Sequence, residues 1–168
     1  MAPEARWLDR REDRAWRSFM HAHQQLTLRL RRHLLQDSRL SEADYEILAV
    51  LSEHPIERMP AQELCTLLQW EKSRLSHQVR GMEKRGLIVR EPNPADARSA
   101  MICLLPAGRR TIEDAAPQHV LNVRRHLIDL FTPAELDTLA GLNERILRHL
   151  AEEPFPQQST LDDPELPR

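Results

Sequence analysis

The 168-residue chain has little glycine, few aromatic residues and only two cysteines. Four glycines are too few for a phosphate-cradling loop or for close backbone approach to a cofactor, and no clustered nucleophile, base and orienting acid is present. We therefore expect neither enzymatic activity nor a cofactor. The longest purely apolar run, residues 47–51, is far shorter than the roughly 20 residues needed to cross a bilayer. The two cysteines do not make a disulfide framework, and these absences together predict a cytoplasmic protein without a membrane span.

The charge of the chain is unevenly distributed, although its formal net charge is only −2. Residues 71–90 contain six cations and two carboxylates, a net charge of +4. Residues 151–168 contain five carboxylates, one arginine and four prolines, a net charge of −4. A local basic stretch is what phosphate binding requires, whereas the whole-chain charge mainly affects solubility. We expect residues 152–168 to form an acidic, proline-rich, disordered tail.

Apolar residues recur at three- and four-residue spacing, which predicts helices, and turn-forming residues separate these segments. A capping box of Ser41 and Asp44 opens the second helix, Gly86 ends the fourth, and Thr132 with Glu135 opens the last. The predicted helices span about residues 9–36, 42–54, 60–68, 72–85, 107–130 and 133–150, and two short strands span residues 87–90 and 100–105.

This order of elements predicts a mostly α-helical protein with a small β-hairpin wing. Residues 37–106 form a winged helix-turn-helix, and residues 9–36 and 107–151 form a flanking helical dimerisation region. The apolar faces of the outer helices find little to pack against in a single copy of the chain. We therefore expect a homodimer.

The fourth helix has two contrasting faces. Leu75, Val79 and Met82 form one narrow stripe that should face the core, whereas the opposite side carries donors, acceptors and cations but no carboxylate. Arginine can pair with guanine and glutamine with adenine in the major groove. The alternative is a solvated face, but such faces usually mix both signs of charge. The residues of this polar face and its edges are Ser73, Arg74, Ser76, His77, Gln78, Arg80, Lys84 and Arg85.

The predicted hairpin tip supplies a second candidate contact. Arg98 could enter an adjacent minor groove, where narrow segments concentrate negative potential, and Asp96 could orient its guanidinium. The alternative is that Asp96 stabilises the turn while Arg98 faces solvent.

Three stretches together resemble the MarR family of winged-helix regulators: residues 70–80, residues 83–88, and the wing pattern Asp96-Ala97-Arg98-Ser99 followed by Ile102, Leu104 and Gly108. Leu105 stands where the family has threonine, which removes a helix cap. The resemblance covers about residues 10–150. It implies a transcriptional regulator, expected to be a repressor, that binds a pseudo-palindromic operator in double-stranded DNA as a homodimer.

The resemblance also implies which side chains contact DNA. It places Ser73, Arg74, Ser76, His77, Gln78 and Arg80 at the major groove and Arg98 on the wing. The remaining cations are better suited to phosphate contacts, which set affinity and salt dependence rather than sequence preference. These are Lys72, Lys84, Arg85 and Arg90.

Members of the family often respond to a small aromatic or phenolic effector, and Trp16, Met20 and His23 are the candidate contacts here. The same helical spacing is more typical of core residues. No cysteine–histidine pattern of the usual closeness is present, so we predict no metal site.

Two other functions remain open from the sequence. A winged helix can dock a partner protein, but this would favour an apolar anchor on the fourth helix. A redox switch could use Cys65 or Cys103, although buried structural thiols are the more common situation.

Overall fold

The computed structural model describes residues 6–94, 96 and 99–152. Arg98 and residues 153–168, most of the predicted tail, lie outside the described residues. The chain divides into two compact units, Met1–Leu127 and Ile128–Arg168. No described helix combines the length and apolar character that a membrane span requires.

The elements are α1 (Arg10–Ser38), α2 (Glu42–Glu53), β1 (Arg58–Pro60), α3 (Ala61–Leu68), α4 (Lys72–Lys84), β2 (Ile88–Pro92), β3 (Ala100–Leu104), α5 (Pro106–His126), a 3₁₀ turn (Ile128–Leu130) and α6 (Pro133–Glu152).

The helix ends follow from local capping chemistry. Ser41 and Asp44 form the predicted capping box at the start of α2, with reciprocal N–H to side-chain distances of 3.0 Å. The backbone N–H of Thr132 likewise donates to the Glu135 carboxylate at 2.8 Å before α6. Gly86 follows α4 with φ of +67°, the left-handed conformation expected there. These three predictions are confirmed. Each feature depends only on neighbouring residues, so it could be predicted from the sequence.

The predicted two-stranded hairpin is part of a three-stranded antiparallel sheet in the order β1-β3-β2. The sequence prediction missed β1, which pairs Arg58 with Cys103 and Met59 with Ile102. Pro60, predicted in the first turn of α3, is instead the last residue of β1 and the N-cap of α3. A proline lacks the ladder N–H, so it is tolerated in an edge strand such as β1.

The core lies between α2, α3, α4 and the inner face of the sheet, with α5 packed against α2. The predicted stripe of Leu75, Val79 and Met82 is buried, which confirms which side of α4 faces the protein. Leu105 precedes α5 without a side-chain cap, as expected where threonine is absent. The winged helix-turn-helix therefore shares one apolar core with α5, which contributes Ile112 and Ala115.

The long helices expose much of their apolar surface in the described chain. Helix α1 packs along α5, yet Leu34 is its only buried residue. Trp16 and Phe19 remain about half exposed. In the second unit, α6 exposes a row of apolar side chains, namely Leu142, Ile146, Leu147 and Leu150.

Candidate nucleic-acid interface

The face of α4 opposite its buried stripe is exposed and basic. Helix packing through Leu75, Val79 and Met82 turns this face outward, because residues three and four apart share one side of a helix. Ser76 and Gln78 lie at its edges and are half-buried. The exposed polar side chains of α4 are Lys72, Ser73, Arg74, His77, Arg80 and Lys84.

Glu83, the carboxylate that α4 contains, is turned towards the sheet. It accepts the backbone N–H of Arg90 at 2.9 Å, and its other oxygen lies 3.6 Å from the Arg90 Nε. Arg90 also donates from Nη2 to the backbone oxygen of Ser76 at 2.9 Å. Arg90, predicted to contact phosphate, thus joins β2 to α4. Its pairing with Glu83 turns this carboxylate away from the exposed face of α4.

Asp44 connects α2 to α4 and to Arg85, the residue that follows α4, and is 3% exposed. Its Oδ1 accepts a hydrogen bond from Gln78 Nε2 at 2.7 Å, and its Oδ2 accepts one from Arg85 Nη1 at 3.1 Å. Arg85 Nη2 also donates to Oδ1. Gln78 and Arg85, predicted to contact a base and a phosphate, are therefore bonded within the protein. The sequence shows Asp44 only as a capping residue.

The electrostatics of Asp44 follow from this geometry. Burial alone would raise the pKa of this carboxyl group, but hydrogen bonds from Arg85 and Ser41 outweigh burial and lower the pKa below its ordinary value of 3.8. The carboxylate is therefore charged at neutral pH and holds α2 and α4 together.

Acid should weaken this connection. Because the folded-state pKa lies below that of the unfolded chain, the stabilisation is complete above about pH 4 and is lost as the pH falls through the folded-state value. We expect the free energy of unfolding, measured in urea between pH 6 and pH 2, to fall more steeply for the natural chain than for Asp44→Asn. Parallel pH profiles for the two proteins would contradict this assignment.

Arg74 lies over an aromatic ring at the turn into α4. Its guanidinium carbon is 4.0 Å from the ring centroid of Trp70, which is 8% exposed. This is a cation–π arrangement that desolvation strengthens. Gln69, the residue before Trp70, has a left-handed backbone conformation with φ of 54° at the end of α3. The stacking fixes the direction of Arg74 beside the N-terminal end of α4.

The described part of the wing forms a turn. The Asp96 N–H donates to the Asn93 oxygen at 3.2 Å, and the Asp96 oxygen accepts the Ser99 N–H at 3.0 Å. Asp96 is exposed. Because Arg98 lies outside the described residues, its minor-groove contact and its orientation by Asp96 stay predictions.

The two thiols lie in environments that disfavour thiolate. Burial raises the pKa of the half-buried Cys65 and of the buried Cys103, and Glu91 raises the pKa of Cys103 further. A smaller thiolate fraction slows oxidation and alkylation, so this geometry lends the redox hypothesis no support. Within residues 6–94, 96 and 99–152, no three histidine, cysteine or acidic side chains form a metal-binding group.

The candidate effector residues Trp16, Met20 and His23 lie on α1. Trp16 is 56% exposed, Met20 is half-buried, and the His23 ring stacks on Phe19 with centroids 6.5 Å apart. Trp16 and Met20 line an open concavity formed by α1 residues alone. The described part of the chain thus encloses no crevice around these residues.

Comparisons with known proteins agree on one family. The model of the MarR family matches residues 40–99. The chain is 40% identical to AbsC, a MarR family transcriptional regulator from Streptomyces coelicolor, over 88% of this chain and 99% of that chain, with a TM-score of 0.84. It is 34% identical to Sco3205, a MarR family transcriptional regulator from the same organism solved in complex with DNA, over 95% and 97% of the two chains, with a TM-score of 0.82.

A more distant structure shows the same fold. BpsR from Bordetella bronchiseptica, a protein whose DNA binding is regulated by 6-hydroxynicotinic acid, is 18% identical over 79% of this chain and 98% of that chain, with a TM-score of 0.68. A search of curated protein sequences found no match.

Proposed function

The chain belongs to the MarR family of transcriptional regulators, and from this premise we propose that it represses transcription by binding a pseudo-palindromic operator as a homodimer. The observation that carries the proposal is the exposed face of α4, which holds cations and hydroxyls while its carboxylate, Glu83, is bonded to β2. Such a face suits the negative potential and base edges of a major groove. The DNA complex of Sco3205 supports the same role.

We assign the predicted contacts according to their exposure. Ser73, His77 and Arg80 are exposed along the centre of the face and are proposed to read bases. Arg74, Ser76 and Gln78 flank them and are proposed as edge contacts. Lys72 and Lys84 are exposed near the two ends of α4 and are proposed to bind phosphates. Arg98 is proposed to contact the minor groove from the wing, with Asp96 as its orienting partner.

Arg85 combines two roles in this proposal, whereas Arg90 mainly joins two elements of the fold. Arg85 keeps 42% of its side chain exposed, and a guanidinium carries five N–H donors. It can therefore bond Asp44 and a DNA phosphate at the same time. Arg90 is 33% exposed and bonded to Ser76 and Glu83, so its main role is to hold α4 against β2.

Homodimerisation is supported by the exposed apolar surface of the outer helices. Trp16 and Phe19 on α1, and separately Leu142 and Ile146 on α6, expose 45–56% of their surface. Apolar patches of this kind mark interfaces, and a second copy is the simplest partner because it presents the same surface. Two α4 helices related by a two-fold axis would then lie about 34 Å apart, one turn of the duplex.

A small-molecule effector is the second part of the proposed function. An aromatic or phenolic ligand near Trp16, Met20 and His23 would need a wall that α1 alone does not supply, so this site would have to be completed by the partner copy. Because a transcriptional regulator has to reach its DNA, the protein is proposed to act in the cytoplasm.

Base reading by α4 predicts an effect on sequence preference. We expect His77→Ala to reduce affinity for a selected operator at least about tenfold, because one lost base contact costs on the order of 1–3 kcal/mol, while affinity for random duplex changes much less. Fluorescence anisotropy on both DNAs measures the ratio. The matched control is His21→Ala, an exposed histidine on α1. Equal losses on operator and random DNA would show that His77 does not read sequence.

A further inference from the structure

Gln78 lies at the edge of the exposed face of α4 and is bonded to the start of α2. Its Nε2 donates one hydrogen bond to Asp44 Oδ1 at 2.7 Å and a longer one to Ser41 Oγ at 3.4 Å. Ser41 is the N-cap of α2, and Asp44 lies in its first turn. A primary amide nitrogen carries two N–H groups, so both N–H groups of Gln78 are directed towards α2.

Asp44 determines which way round the Gln78 amide lies. Burial raises the pKa of Asp44, but hydrogen bonds from Arg85 and Ser41 outweigh burial, so the group is ionised at neutral pH and only accepts hydrogen bonds. An inverted amide would place Oε1 of Gln78 against Oδ1 of Asp44 with no proton between them. Because Asp44 is 3% exposed, little water could screen this repulsion. Nε2 therefore faces Asp44, and Oε1 does not.

The other polar atom of Gln78, Oε1, is available to an external donor. Among the residues that the structure describes, it accepts no hydrogen bond. The buried side-chain atom that lacks a partner in this part of the chain is His119 Nδ1, so Oε1 of the half-buried Gln78 is reached by solvent. His77 and, one turn earlier, Arg74 are exposed on the same helix. The oxygen is thus accessible beside side chains that are proposed to contact DNA.

A lone acceptor distinguishes bases differently from a complete amide. In the major groove, glutamine usually pairs with adenine through both N6 and N7, which requires an N–H as well as the oxygen. The hydrogen-bond donors that bases present there are the amino groups of adenine and cytosine, whereas guanine and thymine present acceptors. A fixed amide oxygen can therefore bond to adenine or cytosine on one strand and opposes guanine and thymine on that strand.

We propose that Gln78 is a specificity-determining residue that presents only Oε1 to DNA and selects an amino-bearing base, adenine or cytosine, at one position of each half-site. Asp44 is the positioning residue that keeps the amide in this orientation without touching the DNA. The inference rests on the proposed DNA binding and adds the chemical class of base that this edge of α4 reads.

Selection of bound duplexes from a random pool, repeated with variants of the full chain, tests the inference. For the natural chain, we expect one position per half-site where adenine and cytosine are both enriched over guanine and thymine. Gln78→Ala should lose this preference, roughly three- to tenfold for one neutral hydrogen bond, and keep the preferences at other positions. Gln118→Ala, at an exposed glutamine of α5, is the matched control and should give the natural profile.

Modified bases at this position separate the two ways of reading adenine. Purine, which lacks the N6 amino group, should weaken binding of the natural chain roughly three- to tenfold and weaken Gln78→Ala much less. 7-Deazaadenine, which lacks the N7 acceptor, should bind like adenine. Asp44→Asn introduces an amide that can donate as well as accept, so it should release the Gln78 amide and weaken the preference at this position alone.

Thermal melting identifies the folded variants, and the Gln78→Ala and modified-base results decide the question if Asp44→Asn does not fold. Enrichment of adenine alone, equal losses with purine and 7-deazaadenine, or an unchanged profile in Gln78→Ala would overturn the inference while leaving DNA binding intact. A uniform loss at every position in Gln78→Ala would also overturn it, because Gln78 would then act only through the fold. No enriched sequence for the natural chain would contradict the proposed function itself, and this inference with it.

Discussion

Gly108→Ala is expected to lower the free energy of unfolding by about 3 kcal/mol or more, an effect at the upper end for overpacked sites. A Cβ at this position would lie 2.1 Å from the backbone oxygen of Leu87 and 2.8 Å from Leu104 Cδ1. The first of these atoms belongs to the main chain and cannot rotate away. The start of α5 would have to move off the sheet, and urea denaturation would record the loss.

Two other glycines provide matched controls. A Cβ at Gly81 in α4 or at Gly141 in α6 would meet nothing within 4 Å. Alanine should stabilise these helices by roughly 0.5–1 kcal/mol, because glycine loses more backbone freedom on folding. A Gly108→Ala protein as stable as the natural chain would contradict the close approach of α5 to the sheet. The close contact of α5 with Leu87 and Leu104 is the physical reason for a glycine at position 108, in the motif that follows the wing.

The double variant Arg80→Ala/Lys84→Ala is expected to weaken operator binding about a hundredfold or more. A base-contacting arginine contributes on the order of 1–3 kcal/mol, and a homodimer loses each contact twice. Losing one phosphate contact per protomer should also reduce the slope of log K against log salt by about 2. Anisotropy titrations between about 50 and 200 mM salt measure both quantities.

The control for this variant removes the same charge elsewhere. Arg32 on α1 and Arg110 on α5 are exposed and lie outside α4 and the wing. Arg32→Ala/Arg110→Ala should keep most of the operator affinity, and sedimentation should show the same oligomeric state for both double variants. Similar losses in the two variants would mean that overall charge, not the surface of α4, attracts the DNA.

The sequence predicts best those features that depend on neighbouring residues. The capping boxes at Ser41 and Thr132, the left-handed Gly86 and the buried stripe of α4 all follow from spacing within a few residues. The two faces of α4 follow from the same helical period, so the centre of the predicted contact face, Ser73, His77 and Arg80, is exposed, whereas Ser76 and Gln78 at its edges are half-buried. The structure also contains the two predicted wing strands, and their ends differ from the predicted ends by at most two residues.

Features that depend on distant partners were not predictable. Strand β1 has three residues and is defined by pairing with β3, more than forty positions later. Asp44 bonds to Gln78 and Arg85, which are 34 and 41 residues away. The sequence shows that Arg85 and Arg90 are cations but not that carboxylates of the same chain bind them.

We propose that two α4 helices, related by two-fold symmetry, read neighbouring turns of one duplex. Selection of bound duplexes from a random pool, followed by sequencing, tests it most directly. We predict enrichment of an inverted repeat whose half-sites are centred about 10 base pairs apart, with one dimer bound per duplex. Recovery of a single, unrepeated half-site, or no enrichment of any sequence over the starting pool, would contradict it.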